Sequence, residues 1–116
     1  MNKIREVVVY KSYFDDFFSK QPQNIRDKII KILDIIEHIE RVPVTYLKYL
    51  EGTNGLFEIR SQLGSNIFRI FCFFDGGKLV VLLTGFQKKT QKTPKVEIER
   101  AERLMNEYYN EKRKEK

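Results

Sequence analysis

The chain has 116 residues, 41% of them hydrophobic and 33% charged, with nine Phe and six Tyr, the profile of one folded domain and not of a disordered or fibrous chain. The single cysteine, Cys72, rules out an internal disulfide framework; inside the apolar run IFRIFCFF it reads as a small buried hydrophobe in a cytoplasmic protein. Residues 1–85 carry 12 basic and 10 acidic side chains against 10 and 6 in residues 86–116, so the excess behind the net charge of +6 gathers late in the chain, suiting RNA or DNA, an acidic partner, or plain solubility.

In chain order, residues 6–10 form a short β-branched run and predict a first strand. Ser12 is placed to cap a short helix that ends near Lys20, with Tyr13, Phe14, Phe17 and Phe18 at helical spacing and Asp15 and Asp16 in its first turn. Pro22 suits the first turn of a second helix running to about Glu40. Its stripe of Ile25, Ile29, Ile32, Ile36 and Ile39 is a core-facing side or a partner groove. His38 lies beside that stripe and reads as a solvated helix residue. No run approaches the ~18 apolar residues of a bilayer span, and MNKIREVVVY lacks a signal-peptide core, so neither export nor membrane insertion is expected.

Residues 41–55 read as a connection with turn signals at Pro43, Gly52 and Asn54-Gly55. Tyr46, Lys48 and Tyr49 interleave rings with a cation there, either to stack on bases and touch phosphate or simply to pack while Leu47 and Leu50 anchor the loop. Three strands follow. Phe57 and Ile59 alternate with Glu58 and Arg60, so a period of two separates hydrophobes from charge. After a turn over residues 62–66, the strand Ile67–Phe74 sets Phe68, Ile70, Cys72 and Phe74 against Ile67, Arg69, Phe71 and Phe73. A turn at Asp75–Lys78 leads into Leu79–Lys88, whose run of apolar residues on both faces predicts a central place in the sheet. Thr93 is expected to cap a third helix with Pro94 at its first position; Ala101, Leu104, Met105 and Tyr108 form its stripe, and residues 112–116 a basic end expected to fray. The fold class expected is α+β, one domain over residues 1–116.

Glycine-rich phosphate loops, Cys/His metal clusters and a serine with a plausible histidine are all missing from the sequence. What remains is cationic. Arg60, Arg69, Lys88 and Lys89 come from successive strands of one antiparallel region, so their side chains can converge beside Glu58. Such a patch either binds a phosphodiester or consists of structural ion pairs on a solvated sheet face. It also has the parts to cleave RNA without a metal or cofactor: arginine for the phosphate charge, and a lysine crowded by cations, or Glu58, to move a proton.

The series Gly55-Leu56-Phe57-Glu58-Ile59-Arg60, Phe68-Arg69-Ile70-Phe71, the run from Leu82 to Pro94 (LLTGFQKKTQKTP) and Glu97-Ile98-Glu99-Arg100-Ala101 resembles the HigB-like, phage-derived branch of the RelE/ParE toxin superfamily. That resemblance implies a small RelE-like fold and the toxin of a type II toxin–antitoxin pair: a metal-independent mRNA endonuclease acting on the ribosome and silenced in a hetero-oligomer by a helix-turn-helix antitoxin. It maps Arg60, Arg69, Lys88 and Glu58 onto the catalytic face and Lys48, Lys89, Lys92 and Tyr46 onto RNA binding. Some relatives use a C-terminal tyrosine or histidine for proton transfer, a role not carried over to Tyr108 or Tyr109. The sister branch of the superfamily acts instead as a non-enzymatic poison of DNA gyrase, and a simple RNA-binding module is the third reading.

Overall fold

The computed structural model describes residues 2–115. Its elements, in chain order, are β1 (Glu6–Val9), α1 (Tyr13–Ser19), α2 (Gln23–His38), β2 (Leu47–Tyr49), β3 (Leu56–Leu63), β4 (Asn66–Asp75), β5 (Leu79–Lys88) and α3 (Lys95–Lys114). The strands form one sheet in the order β1-β5-β4-β3-β2. Among the described residues, β1 and β5 alone run parallel; the other pairings are antiparallel. The expected α+β architecture is present, with the two N-terminal helices on one face of the sheet and α3 on the other.

Burial follows the period-two pattern. Ile59, Phe68, Ile70, Cys72, Val80 and Leu82 face α1 and α2, where Ile25, Ile29, Ile32 and Ile36 of α2 meet them. Leu56, Phe71, Phe73, Val81 and Leu83 face Ala101, Leu104 and Met105 of α3. Each large side chain removed completely from water stabilises the fold by roughly 1.5–3 kcal/mol, and the two cores share β4 and β5, which explains why both strands are apolar on both faces at their centres. Gly85 marks a close approach: a Cβ there would lie 2.4 Å from the ring of Phe17.

Several local readings change. The connection 41–55 contains β2, a three-residue edge strand paired with β3; its period was too short to see. The turn expected over residues 62–66 shrinks to Gly64 and Ser65, because β3 continues to Leu63. Pro22 and Pro94 stand one residue before their helices rather than at the first helical position. Ser12 makes no capping hydrogen bond; its hydroxyl lies 3.2 Å from the Asp16 carboxylate instead. The α2 helix stops at His38, short of Glu40. At the other end Lys112 does not fray, since α3 runs to Lys114 and the Lys112 ammonium holds Asp75 at 2.7 Å; Lys116 lies outside the described residues.

One irregularity decides where the end of β5 points. Cys72 pairs with Leu82, but Ile70 pairs with Gly85, so β5 spends one residue more than β4 over this interval. Such a bulge reverses the side-to-side alternation beyond it. Leu82 faces α1 and α2, and an unbroken period would send Phe86 and Lys88 the same way. After the bulge, Gly85 takes that face under Phe17, and Phe86 turns to the α3 side, its ring 5.5 Å from that of Phe71.

Candidate nucleic-acid interface

The helix α3 covers only half of its sheet face. Beyond Leu56, Phe71 and Leu83 the same face carries Glu58 and Arg60 of β3, Arg69 of β4 and, past the bulge, Lys88 of β5. Register sets them side by side: Arg60 lies opposite Arg69, Arg69 opposite Phe86, Gln62 opposite Ile67 and Ile67 opposite Lys88. Lys48 of β2 lies opposite Glu58, on the same face by antiparallel pairing. Lys48, Arg60, Arg69 and Lys88 therefore lie on the face of Glu58, Lys88 through the bulge and not through plain alternation, while Lys89 falls on the following residue beyond the strand.

Glu58 and Arg69 are only 4% and 6% exposed. The Glu58 Oε1 atom lies 3.6 Å from the Nε of both Arg60 and Arg69, distances of ion pairs rather than hydrogen bonds. Arg69 donates from Nη1 to the Phe68 carbonyl at 3.0 Å, and Arg60 from Nη1 to the Val44 carbonyl at 3.3 Å. The Arg69 Nε–H is buried without a hydrogen-bond partner among the described residues. The Glu58 Oε1 atom at 3.6 Å compensates its charge without a hydrogen bond, which costs stability.

Electrostatics separate the two cations whose proton affinity moves. Burial, opposed by Glu58 and reinforced by Arg60, depresses the Arg69 pKa, and guanidinium stays charged all the same. Burial first, then Arg69, Arg60 and Lys48, depress the Lys88 pKa against the opposing pull of Glu58. Lys88 is thus a stronger acid than an ordinary lysine.

Of the remaining sequence-predicted residues, Lys89 is exposed just beyond β5 and lines, with Lys88, Ser65, Gln87, Thr90 and Gln91, an open groove of about 610 Å³. Tyr46 is half-buried, packs against the α2-side core, and lines with Arg60, Arg69, Ser61 and Gln62 a more enclosed pocket of about 290 Å³. Lys48 and Lys92 are exposed, and Lys92 makes only a main-chain contact, accepting the Thr90 hydroxyl at 2.7 Å. Sequence reading missed two members. Thr93 is not a helix cap; its hydroxyl lies 3.3 Å from Glu58 Oε2 and ties the start of α3 to the buried carboxylate. Gln62 shares the parity of Glu58 and Arg60, a signal present in the sequence and not used.

Tyr108 and Tyr109 lie elsewhere. The Tyr108 hydroxyl donates to Asp75 at 2.6 Å, at the end of β4 six residues from Arg69, or roughly 20 Å along the strand. His38, half-buried in the last turn of α2, meets its own helix at the Asp34 carbonyl, 2.9 Å away. Among the described residues, Asp34, Glu37 and His38 bring three potential metal ligands together, but Glu37 already accepts the Val7 N–H and pairs with Lys3, and the group is on α2, away from the cationic face. No described helix is long and apolar enough to cross a membrane.

The architecture is a mostly antiparallel five-stranded sheet with two helices on one face and one on half of the other, and with charge in the open half. The same fold is found in the crystal structure of the archaeal RelE–RelB complex from Pyrococcus horikoshii OT3, at a TM-score of 0.54 and 22% identity over 78% of this chain and 99% of that one. No curated protein matches the chain in sequence. The family described as phage derived protein Gp49-like (DUF891) matches residues 16–106. The chain belongs to that family, within the RelE/HigB-type toxins, and its class is the toxin of a toxin–antitoxin pair.

Proposed function

We propose that this toxin is an mRNA endonuclease that acts on ribosome-bound message and needs no metal, and that a helix-turn-helix antitoxin silences it in a hetero-oligomer. The observation that carries the reading is the convergence of Lys48, Arg60, Arg69 and Lys88 around buried Glu58 on the sheet half that α3 leaves open. A site that only binds a protein surface has no need of the set Arg60, Arg69 and Lys88.

In the proposed reaction the ribose 2′-oxygen loses its proton to water and attacks the adjacent phosphorus. The O2′–P bond forms, the P–O5′ bond breaks, and the products are a 2′,3′-cyclic phosphate and a 5′-hydroxyl. Arg69 and Arg60 hold the negative charge that builds on the phosphoryl oxygens, already oriented by Glu58 and by their carbonyl contacts. Lys88, made a better acid by burial and its cationic neighbours, protonates the leaving 5′-oxygen. Glu58, paired with the Nε of both arginines, acts as a positioning residue. Lys48, Lys89 and Lys92 line the rim and attract the phosphate backbone.

Expression of the chain in a bacterium followed by mapping of transcript ends tests this. New 5′-hydroxyl ends within translated messages are expected, and Arg69→Ala should reduce them by at least about a hundredfold, the cost of losing a preorganised donor, while circular dichroism shows a folded protein. Growth arrest with intact transcripts refutes the reading, and DNA-damage signalling in its place favours a gyrase poison.

A further inference from the structure

We propose that Lys88 is an acylation site: the cationic face gathers a small acyl phosphate, and the Lys88 amine takes its acyl group. Phe86 lies opposite Arg69, so Lys88, two residues further along β5, is the diagonal neighbour of Arg69, at a separation of roughly 7–8 Å that long side chains bridge. Lys88 is half-buried, yet with exposed Lys89 it lines the open groove of about 610 Å³. Small-molecule sites run from roughly 300 to 1,000 Å³, so an acyl phosphate fits. Arg60 and Arg69 line the second pocket of the same face. Guanidinium groups suited to a phosphate therefore stand beside a lysine that solvent can reach.

The surroundings single out Lys88 among the 14 lysines of the chain. A lysine reacts with an acyl donor as the neutral amine, so the decisive property is how readily it gives up its proton. Lys11 is the opposite case: Glu107 and Glu111 hold its ammonium, and the Glu107 hydrogen bond binds the proton more tightly. At Lys88 burial acts first, and Arg69 of β4, Arg60 of β3 and Lys48 of β2 add to it; Glu58 alone opposes them. The net result favours the neutral amine. Lys89 and Lys92 are exposed on the same rim and serve as internal references.

The step balances without a further reactant. The Lys88 ammonium loses a proton to water, and the Nζ lone pair attacks the acyl carbon. The C–N bond forms, the C–O bond to phosphate breaks, and inorganic phosphate leaves with the electron pair, its charge met by Arg69 and Lys89. An amide replaces the amine, so the side chain loses both its positive charge and its transferable proton. Resting on the reading that Lys88 protonates the leaving 5′-oxygen, acylation silences the nuclease. Cleavage then falls when acyl phosphate is abundant.

The test incubates the purified full-length chain with acetyl phosphate and follows each lysine by peptide mass spectrometry. Lys88 is expected to be acetylated about tenfold faster than Lys89 or Lys92, because more of it is neutral and the donor is held beside it. Inorganic phosphate should slow the reaction at Lys88 and leave exposed Lys78 unaffected, since only the first passes through a bound phosphate. Arg69→Met should erase the preference for Lys88. Where that variant fails to fold, Arg60→Gln at the more exposed rim should lower the preference in a chain whose circular dichroism is unchanged. Lys88 reacting no faster than Lys89 and Lys92, or at a rate indifferent to phosphate and to Arg60→Gln, overturns the inference. The mass readout needs no cleavage, so the two readings fail separately. Acetylated Lys88 with undiminished cutting of ribosome-bound message upholds the acylation site and removes the acid role of Lys88; a fall in cutting of about a hundredfold upholds both.

Discussion

Replacing Glu58 by glutamine keeps its shape and its acceptor for Thr93 but deletes the one charge that balances the arginines. Glu58 faces guanidinium Nε atoms at 3.6 Å on both Arg60 and Arg69. One such pair is worth roughly 4–5 kcal/mol at an effective dielectric of about 20, and part of that only offsets the cost of taking both ions out of water. The Arg60 side chain is 28% exposed and water takes over its solvation, whereas Arg69 at 8% has no such recourse. The expected net loss is about 3 kcal/mol, the lower end for stripping one partner from a buried pair, or a fall in Tm of roughly 12 °C for a domain of this size. Thermal unfolding followed by circular dichroism measures it, and Arg69→Met supplies the second arm of a double-mutant cycle. The double variant should be more stable than the sum of the two losses predicts, because each single change strands the other charge. An unchanged Tm for Glu58→Gln, or strictly additive losses, refutes the claim that this carboxylate anchors the cationic face.

Two further predictions follow from the placement of charge. Cleavage of ribosome-bound message should fall as pH rises through the lowered pKa of Lys88, since the protonated form is the one that donates; the alkaline limb therefore lies below that of an ordinary lysine. Lys88→Arg should remove this limb along with most of the activity, because arginine holds the charge and does not release the proton; an identical pH profile in that variant removes Lys88 from proton transfer. Tyr108→Phe deletes the hydrogen bond to Asp75 while Lys112 still holds that carboxylate, so a stability loss of about 1 kcal/mol with unchanged cleavage is expected, and a strong loss of cleavage would bring the C-terminal tyrosine back into the mechanism.

Much of this protein is written in local patterns. The isoleucine stripe of α2 records its own face, because an α-helix repeats every 3.6 residues wherever it is packed. Phe57 and Ile59 against Glu58 and Arg60, and Phe68 and Ile70 against Arg69, likewise declare two sheet faces of different character. The same reasoning failed at β2, whose three residues are too few to show a period, and at Thr93, where a residue suited to capping is drawn instead to a carboxylate 35 positions away in the chain. Local rules rank local partners; they carry no information about distant ones.

The sequence by itself determined the order of the elements other than β2, the two-faced strands, and the presence of arginine and lysine among core residues. Tertiary structure decided which of those charges meet. A strand pattern tells only that alternate residues part company, and one extra residue between Leu82 and Gly85 reverses that assignment for everything after it. The bulge brings Lys88 to the side of Arg69, α3 stops short of covering them, and Glu58 goes under rather than out to solvent. Pairing register, coverage and burial are properties of contacts between segments far apart in the chain, and it is there that a set of cations becomes a site.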